Sequence, residues 1–457
     1  MDREKLGSRL GFILLSAGCA IGIGNVWKFP YMVGKFGGSA FVLIYLFFLV
    51  IMGLPILTME FALGRSSQKS PAAMYKQLEP KGSKWHIHGY GAFAGNYLLM
   101  MFYTTVSGWM LNYFIKMATG EFENTTPEAV KLIYNDMLAN PASAIIFMGI
   151  VVVIGFLVCA LGLQKGVERI TKYMMLALLV IMVILAINSI FLPGGNEGLK
   201  FYLLPSLKNM KEVGVGNVIV GAMNQAFFTL SLGIGSMAIF GSYLDKKRSL
   251  LGEAVNVATL DTFVAFTSGL IIFPAAFAYN VSVDAGPNLI FITLPNIFNN
   301  LPLGRVWGSL FFVFMSFAAL STVFAVFENI ISCTIDIFKI SRKKACLINA
   351  VAMFILSLPC ALGSNLLSFI QPFGAKTNIM DFEDFIVSNI MLPLGSFIFI
   401  LFCVSRYGWG WKNFTDEANE GKGLKIAKWM RGYITYILPV IIAIILIYGL
   451  ITFKYSN

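Results

Sequence analysis

The sequence predicts an all-α polytopic membrane protein: eleven transmembrane helices, built as a 5+5 inverted repeat with helices 1 and 6 broken. Three observations predict it. The 457 residues are 57% hydrophobic and only 12% charged, which places the chain among multi-span membrane proteins. Eleven apolar stretches are long enough to cross a bilayer. The first and the sixth of them carry glycines and polar groups at mid-membrane depth, where a spanning helix should be continuous.

The first stretch sets the reading. Leu10 to Ala17 reads as helix in lipid, and Gly18-Cys19-Ala20-Ile21-Gly22-Ile23-Gly24-Asn25-Val26-Trp27-Lys28-Phe29-Pro30 follows. Glycine weakens a helix and proline cannot donate to one. Bare backbone at membrane depth must be buried in protein or line a watery cavity, so the free N–H and C=O groups here are expected to face a ligand. A glycine packing face would explain neither Asn25 nor Lys28. Arg3, Lys5 and Arg9 before an apolar run ending Ser16-Ala17-Gly18-Cys19 mimic a signal peptide, but the motif just beyond and the many later spans argue against cleavage.

The predicted spans run 10–34, 39–64, 90–117, 141–162, 167–192, 216–243, 255–278, 305–338, 345–363, 384–404 and 433–453. All lie in one transporter-like domain over 1–457, with repeats at 10–192 and 216–404 and a final helix at 433–453. With the N-terminus inside, 24 of the 34 Lys and Arg fall in inner segments, so the expectation is a cytoplasmic N-terminus and an outward C-terminus in the cell's inner (plasma) membrane. The net charge of +11 then reflects topology rather than nucleic-acid binding. The six cysteines lie in or beside apolar stretches, which excludes a disulfide framework.

The sixth stretch, Gln225-Ala226-Phe227-Phe228-Thr229-Leu230-Ser231-Leu232-Gly233-Ile234-Gly235, is interrupted like the first. Paired broken segments five spans apart point to inverted repeats around a midplane site, with half-helix N-termini facing an anion and unwound carbonyls facing cations. Further polar residues converge on such a site: Glu60 in the second span, Tyr103 in the third, Asp261 in the seventh, Ser321 and Thr322 in the eighth. An ionisable group inside a membrane is costly and calls for a function. An ion channel would need filter loops or an oligomeric pore. An enzyme would need a catalytic cluster, and the chain offers only His86 and His88, which beside Trp85 in an inner loop are expected to be solvated. A sensor or scaffold on the same fold is the alternative to a carrier.

Gly22 to Pro30 resembles the signature of the neurotransmitter:sodium symporter family, in its bacterial amino-acid-transporting branch with eleven helices. Gln225 to Gly235, Gly286 to Pro295 and Ser388 to Gly395 resemble further family segments, and the likeness runs from about residue 6 to 450. That fold is itself the reference case for discontinuous spanning helices. The resemblance implies a symporter with no organic cofactor and no obligate protein partner, importing an amino acid with two Na+ ions through a lipid bilayer. One sodium would be held by the Ala20 and Thr229 carbonyls, the Asn25 side chain, the Thr229 hydroxyl and Asp261. The other would be held by the Gly18, Ile21 and Ala318 carbonyls with the Ser321 and Thr322 hydroxyls. All are oxygens, which a hard cation requires.

The same resemblance places the substrate carboxylate at the Ile23 and Gly24 N–H groups and the Tyr103 hydroxyl. The ammonium goes to carbonyls of Ala20, Phe228, Thr229 and Ser231, and the side chain to a pocket of Leu99, Phe228, Ile234, Thr322 and Val326. Monoamine carriers of the family have aspartate where this chain has Gly22, which leaves room for an α-carboxylate. A mainly apolar pocket suits a hydrophobic or aromatic amino acid. Lys28 would gate the outside against Asp384, with Phe228 and Tyr103 as a lid, and Arg3 would gate the inside against Asp336 near Tyr243. Relatives have glycine and, ten residues on, proline in span five; here Gly166 is kept and Leu176 replaces the proline, so inner opening is expected to rest on Gly166 and the Arg3 segment. Asp261 stands for the chloride of animal members, in a pocket of Tyr45, Gln225, Ser231 or Thr229, while Ala265 takes a position where some bacterial relatives carry glutamate. Chloride-independent transport and a proton antiport through Asp261 or Glu60 are the corollaries.

Overall fold

The computed structural model describes residues 4–279, 288–375 and 377–451, with the side chains of Leu207 and Asn209 also outside the description. The described residues are helical throughout, with no strand; one isolated parallel bridge joins Arg248 to Lys422. Among the described residues nine helices are long and apolar enough to cross a membrane, and a tenth candidate is the bent pair Arg9–Ala20 and Gly24–Lys35, whose axes differ by 56°. The stretch 216–243 forms two shorter helices, Val215–Thr229 and Ser236–Gly241. Several spans overrun their predicted limits: the third is His86–Thr119, the fifth Leu163–Ile190 and the tenth Ile379–Val404.

Pro30, Pro55, Pro393 and Pro439 fall inside predicted spans, and the helices continue through them. Five of the six wide (i→i+5) turns described end one residue before an X-Pro pair: Gly24–Lys28 before Phe29-Pro30, Leu49–Gly53 before Leu54-Pro55, Leu289–Thr293 before Leu294-Pro295, Ile386–Met391 before Leu392-Pro393, and Tyr433–Ile437 before Leu438-Pro439. Proline lacks the N–H and its ring collides with the carbonyl four residues back, so the helix widens by one residue and continues. The first span therefore breaks upstream of its proline, at Ile21, where ψ is 94° and the helical ladder is lost.

The first, third and eighth spans form the centre. Gly304–Phe338 packs along His86–Thr119 and Arg9–Ala20, and most of it is buried. The outer spans instead expose Leu, Ile, Val and Phe, for example Leu157, Val180, Ile355 and Ile444, as helices facing lipid do. In the unwound piece of span six, Ser231, Gly233 and Gly235 take positive φ. A side chain at Gly233 would meet the Leu392 carbonyl at 2.1 Å, so the interruption of span six rests directly on span ten.

Candidate functional site

The two interruptions meet at the middle of the bundle. Glu60, fully buried, accepts the Gly233 N–H at 2.7 Å and the Met237 N–H at 3.2 Å, satisfying donors that the broken sixth span leaves free. In the first span the Ile23 N–H donates to the Tyr103 hydroxyl at 3.0 Å, and the Gly22 N–H reaches Asn25 Oδ1 at 3.3 Å.

A first polar cluster forms around Asp261. Asn25 Nδ2 donates to Asp261 Oδ1 at 2.7 Å, and the Thr229 hydroxyl to Asp261 Oδ2 at 2.9 Å. Asn25 Nδ2 also lies 3.3 Å from the Thr229 hydroxyl, while Ser268 donates to the Asn25 carbonyl at 2.7 Å. All of these residues are buried. Beside them lie the buried Tyr45 and Gln225; neither polar atom of the Gln225 amide makes a hydrogen bond among the described residues. Ala265 is buried one turn beyond Asp261.

A second cluster holds oxygens only. The Thr322 hydroxyl lies 3.2 Å from the Gly18 carbonyl, 3.4 Å from that of Ile21 and 3.5 Å from that of Ala318. Ser321 reaches the Ile21 carbonyl at 3.4 Å and that of Ala318 at 2.9 Å. With the Cys19 carbonyl 3.4 Å from Thr322, two hydroxyls and four carbonyls converge between the break in span one and the middle of span eight. Gly18 permits the approach: a side chain there would meet Thr171 at 3.1 Å and Ser321 at 3.2 Å.

Between the clusters is a narrow cavity with about 20 Å³ of open space, walled by Ala20, Gly22, Gly24, Leu99, Tyr103, Phe228, Thr229, Ser231 and Thr322. Its floor explains two of the glycines. A Cβ at Gly22 would stand 2.3 Å from the Tyr103 hydroxyl and 2.7 Å from that of Thr322, and one at Gly24 would stand 2.6 Å from the Phe228 ring. Ile234 and Val326 are buried but are not among the walls; the Ile234 carbonyl accepts from Asn96 instead. Cys19 and Leu392, not anticipated from sequence, take up wall positions. Leu392 lies in the Ser388 to Gly395 segment that the resemblance had picked out, without a role assigned to it, and it arrives from a distant span.

Tyr103, Phe228 and Gly24 separate this cavity from a wider vestibule of about 420 Å³, which Trp27, Lys28, Trp109, Tyr134, Asp381 and Asp384 help to line. Lys28 sits 3.6 Å from the centre of the Phe228 ring and 3.9 Å from Asp384, whose Oδ1 accepts from Ser388 at 2.7 Å. The cation therefore holds both the lid ring and the opposite wall. Tyr134, on the helix Pro127–Ala139 outside the spans, stacks on Phe291, and burial pushes its hydroxyl up to about 12.

On the opposite face Arg3 lies outside the described residues, so its expected pair with Asp336 is not described; Asp336 Oδ2 accepts the Ser70 N–H at 2.7 Å. Tyr243 donates to Glu328 at 2.8 Å. Glu328 is fully buried and forms a two-pronged pair with Arg342, which also donates to the Cys159 carbonyl at 2.7 Å. Sequence reading passed over this pair, although a carboxylate within an apolar span was the signal that could have found it. The N-terminal segment is tied to the start of span five: Glu168 accepts from the Gly7 N–H at 2.7 Å and from the Ser8 N–H and hydroxyl at 3.1 Å. Leu176 lies within the unbroken helix Arg169–Ile190, and the irregular turn falls earlier, at Leu163–Glu168 around Gly166. His86 pairs with Glu79 at 2.7 Å, and His88 is not solvated as expected but packs its ring edgewise on Tyr75 and Phe399.

The profile of the sodium:neurotransmitter symporter family matches residues 3–129 and 129–457. An uncharacterized sodium-dependent transporter of Bacillus subtilis is 35% identical over 399 residues, 86% of each chain. One of Haemophilus influenzae is 31% identical over 98% of each chain. Among solved structures, MhsT in complex with L-phenylalanine is 36% identical, with a TM-score of 0.87 over 98% of this chain and all of that one.

Proposed function

The chain belongs to the sodium:neurotransmitter symporter family, as a sodium-dependent membrane transporter and not an enzyme, and from that premise we propose that it imports a hydrophobic or aromatic amino acid by alternating access, coupled to two sodium ions and independent of chloride. One observation carries the reading: two buried oxygen clusters, at Asp261 and at Thr322, flank one small cavity whose polar lining is backbone and hydroxyl.

In this reading Asn25, Thr229, Asp261 and the Ala20 carbonyl hold one sodium, and Gly18, Ile21, Ala318, Ser321 and Thr322 the other. The Ile23 and Gly24 N–H groups with Tyr103 take the substrate carboxylate; carbonyls of Ala20, Phe228, Thr229 and Ser231 take the ammonium. Leu99, Phe228 and Thr322 face its side chain, with Ile234 and Val326 behind the wall. The bound phenylalanine of the MhsT neighbour supports an aromatic substrate. Lys28 with Asp384 closes the outer side. Arg3 with Asp336, and Tyr243, close the inner. The charge bias supports a cytoplasmic N-terminus, an outward C-terminus and residence in the plasma membrane.

Each ion crossing a potential of about 100 mV yields about 2.3 kcal/mol, so two ions provide roughly 4.6 kcal/mol, enough for accumulation of over about a thousandfold. The test is uptake of labelled amino acids into proteoliposomes against a panel of the twenty. A sodium gradient should drive uptake of phenylalanine or another large apolar amino acid, and potassium should not replace it. Uptake undiminished in potassium or choline would refute the coupling.

A further inference from the structure

At the start of the third span the chain reads Lys84-Trp85-His86-Ile87-His88-Gly89-Tyr90-Gly91. Lys84, Trp85, Ile87, His88, Gly91 and, from the tenth span, Ile398 line a shallow, open groove of about 550 Å³, away from the transport pathway. One end of it is polar. Lys84 is exposed there, Lys81 stands in the preceding turn, and Arg406 follows on the segment whose Tyr407 carbonyl accepts the Trp85 indole N–H at 2.8 Å. The other end is apolar and open: Ile87 is 59% exposed, and a Cβ at Gly91 would meet nothing within 4 Å. His88 Nε2, in the groove wall, is buried and makes no hydrogen bond among the described residues. A buried polar nitrogen without a partner is costly.

We propose that this groove binds an anionic phospholipid, with the headgroup phosphodiester between Lys84 Nζ and His88 Nε2 and an acyl chain along Ile87, Gly91 and Ile398. The chemistry changes along the groove in the same order as along a lipid. Cations attract the phosphate. Trp85 lies where the headgroup passes into hydrocarbon, the level at which indoles concentrate. Gly91 keeps the backbone bare where the chain would run. The carboxylate of this turn, Glu79, is not a groove wall and is taken up by the His86 ring and N–H and by the Ser83 hydroxyl. A soluble anion would leave the apolar half unused. Which leaflet the lipid comes from rests on the orientation proposed above, which puts Lys84 on the cytosolic side; the binding itself does not.

The test is native mass spectrometry of the full-length protein in detergent, titrated with phosphatidylglycerol, with phosphatidylcholine, and with soluble glycerol phosphate as a competitor. Phosphatidylglycerol should be retained at least about fivefold more tightly than phosphatidylcholine, and Lys84→Ala should remove about that factor. His88→Phe, which keeps the ring packing, should reduce the same preference. Gly91→Leu should lower retention of both lipids. Equal retention of the two lipids by the wild type would overturn the proposal, as would unchanged retention in Lys84→Ala and Gly91→Leu, two changes at open positions that do not depend on His88→Phe folding. Displacement of the lipid by glycerol phosphate would assign the site to free anions and overturn it likewise. Sodium-driven uptake, measured separately, can fail without altering any of these outcomes.

Discussion

At the scale of single residues the site is set by what is absent as much as by what is present. Gly22 lacks the Cβ that would strike Tyr103 and Thr322 together. Gly22→Ala should therefore weaken substrate binding by about tenfold or more, since forcing a methyl into a packed site costs about 1–3 kcal/mol. Scintillation proximity binding of the labelled substrate measures it, and unchanged affinity would mean that Tyr103 yields freely. Asn25 and Thr322 belong to different clusters. Asn25→Ala removes the 2.7 Å donor to Asp261 and should lower sodium and substrate affinity together by roughly tenfold. Thr322→Ala removes one of the converging oxygens and should lower sodium affinity with a smaller effect on substrate. Sodium titrations of the two variants that coincide with the wild type would remove both assignments.

At the scale of elements, the breaks need support from neighbours. A helix that loses its ladder at mid-membrane must satisfy the released groups, and here side chains from other spans do so: Glu60 for span six, Tyr103 and Ser268 for span one. Span five has no proline to unwind it, and its irregular turn at Leu163–Glu168 instead grips the N-terminal segment through Glu168. Gly11 is packed on the same carboxylate, at 1.9 Å for a hypothetical Cβ. Glu168→Ala should release that segment. Charge-assisted bonds contribute about 1.5–3 kcal/mol each, so amide exchange at Gly7 and Ser8 should rise at least about tenfold while the core of His86–Thr119 is unaffected. Hydrogen-exchange mass spectrometry reads this out, and equal exchange in both proteins would show that another contact holds the segment.

At the scale of the whole molecule, charge decides which ions accompany the substrate. On the proposed stoichiometry two sodium ions and a zwitterion would bring +2 into a buried centre, and the Asp261 carboxylate lies within it. Such a charge offsets several kcal/mol at an effective dielectric of about 20. Wild-type uptake should be the same in chloride and in gluconate. Asp261→Asn should be impaired in gluconate and partly rescued by chloride. Loss of wild-type uptake on removing chloride would contradict this role. The face opposite the vestibule is clamped by charges too: Arg65 pairs with Glu417 at 2.5 Å, and Lys246 with Glu420 at 2.9 Å, while the Lys246 ammonium is pushed up chiefly by its bond to Glu420. These join the end of span two to the segments following spans six and ten.

The sequence by itself determined the helical class and the approximate spans, because apolar length is a local property that the bilayer demands of each segment separately. It also located both interruptions, since glycine and lone amides at mid-membrane are local signals. Proline was legible as a perturbation of the helix, but the widened turn that precedes it was not foreseen. What only the tertiary structure decided is which residues meet. Asn25 and Asp261 are 236 positions apart and 2.7 Å from each other, and no periodicity encodes that. Leu392 entered the cavity wall, Ile234 and Val326 stayed behind it, Glu328 found Arg342, and His88 was half-buried against Tyr75 and Phe399, all through contacts between separate elements. Pairings of this kind depend on how the helices cross, which is a property of the assembled bundle rather than of any one stretch of chain.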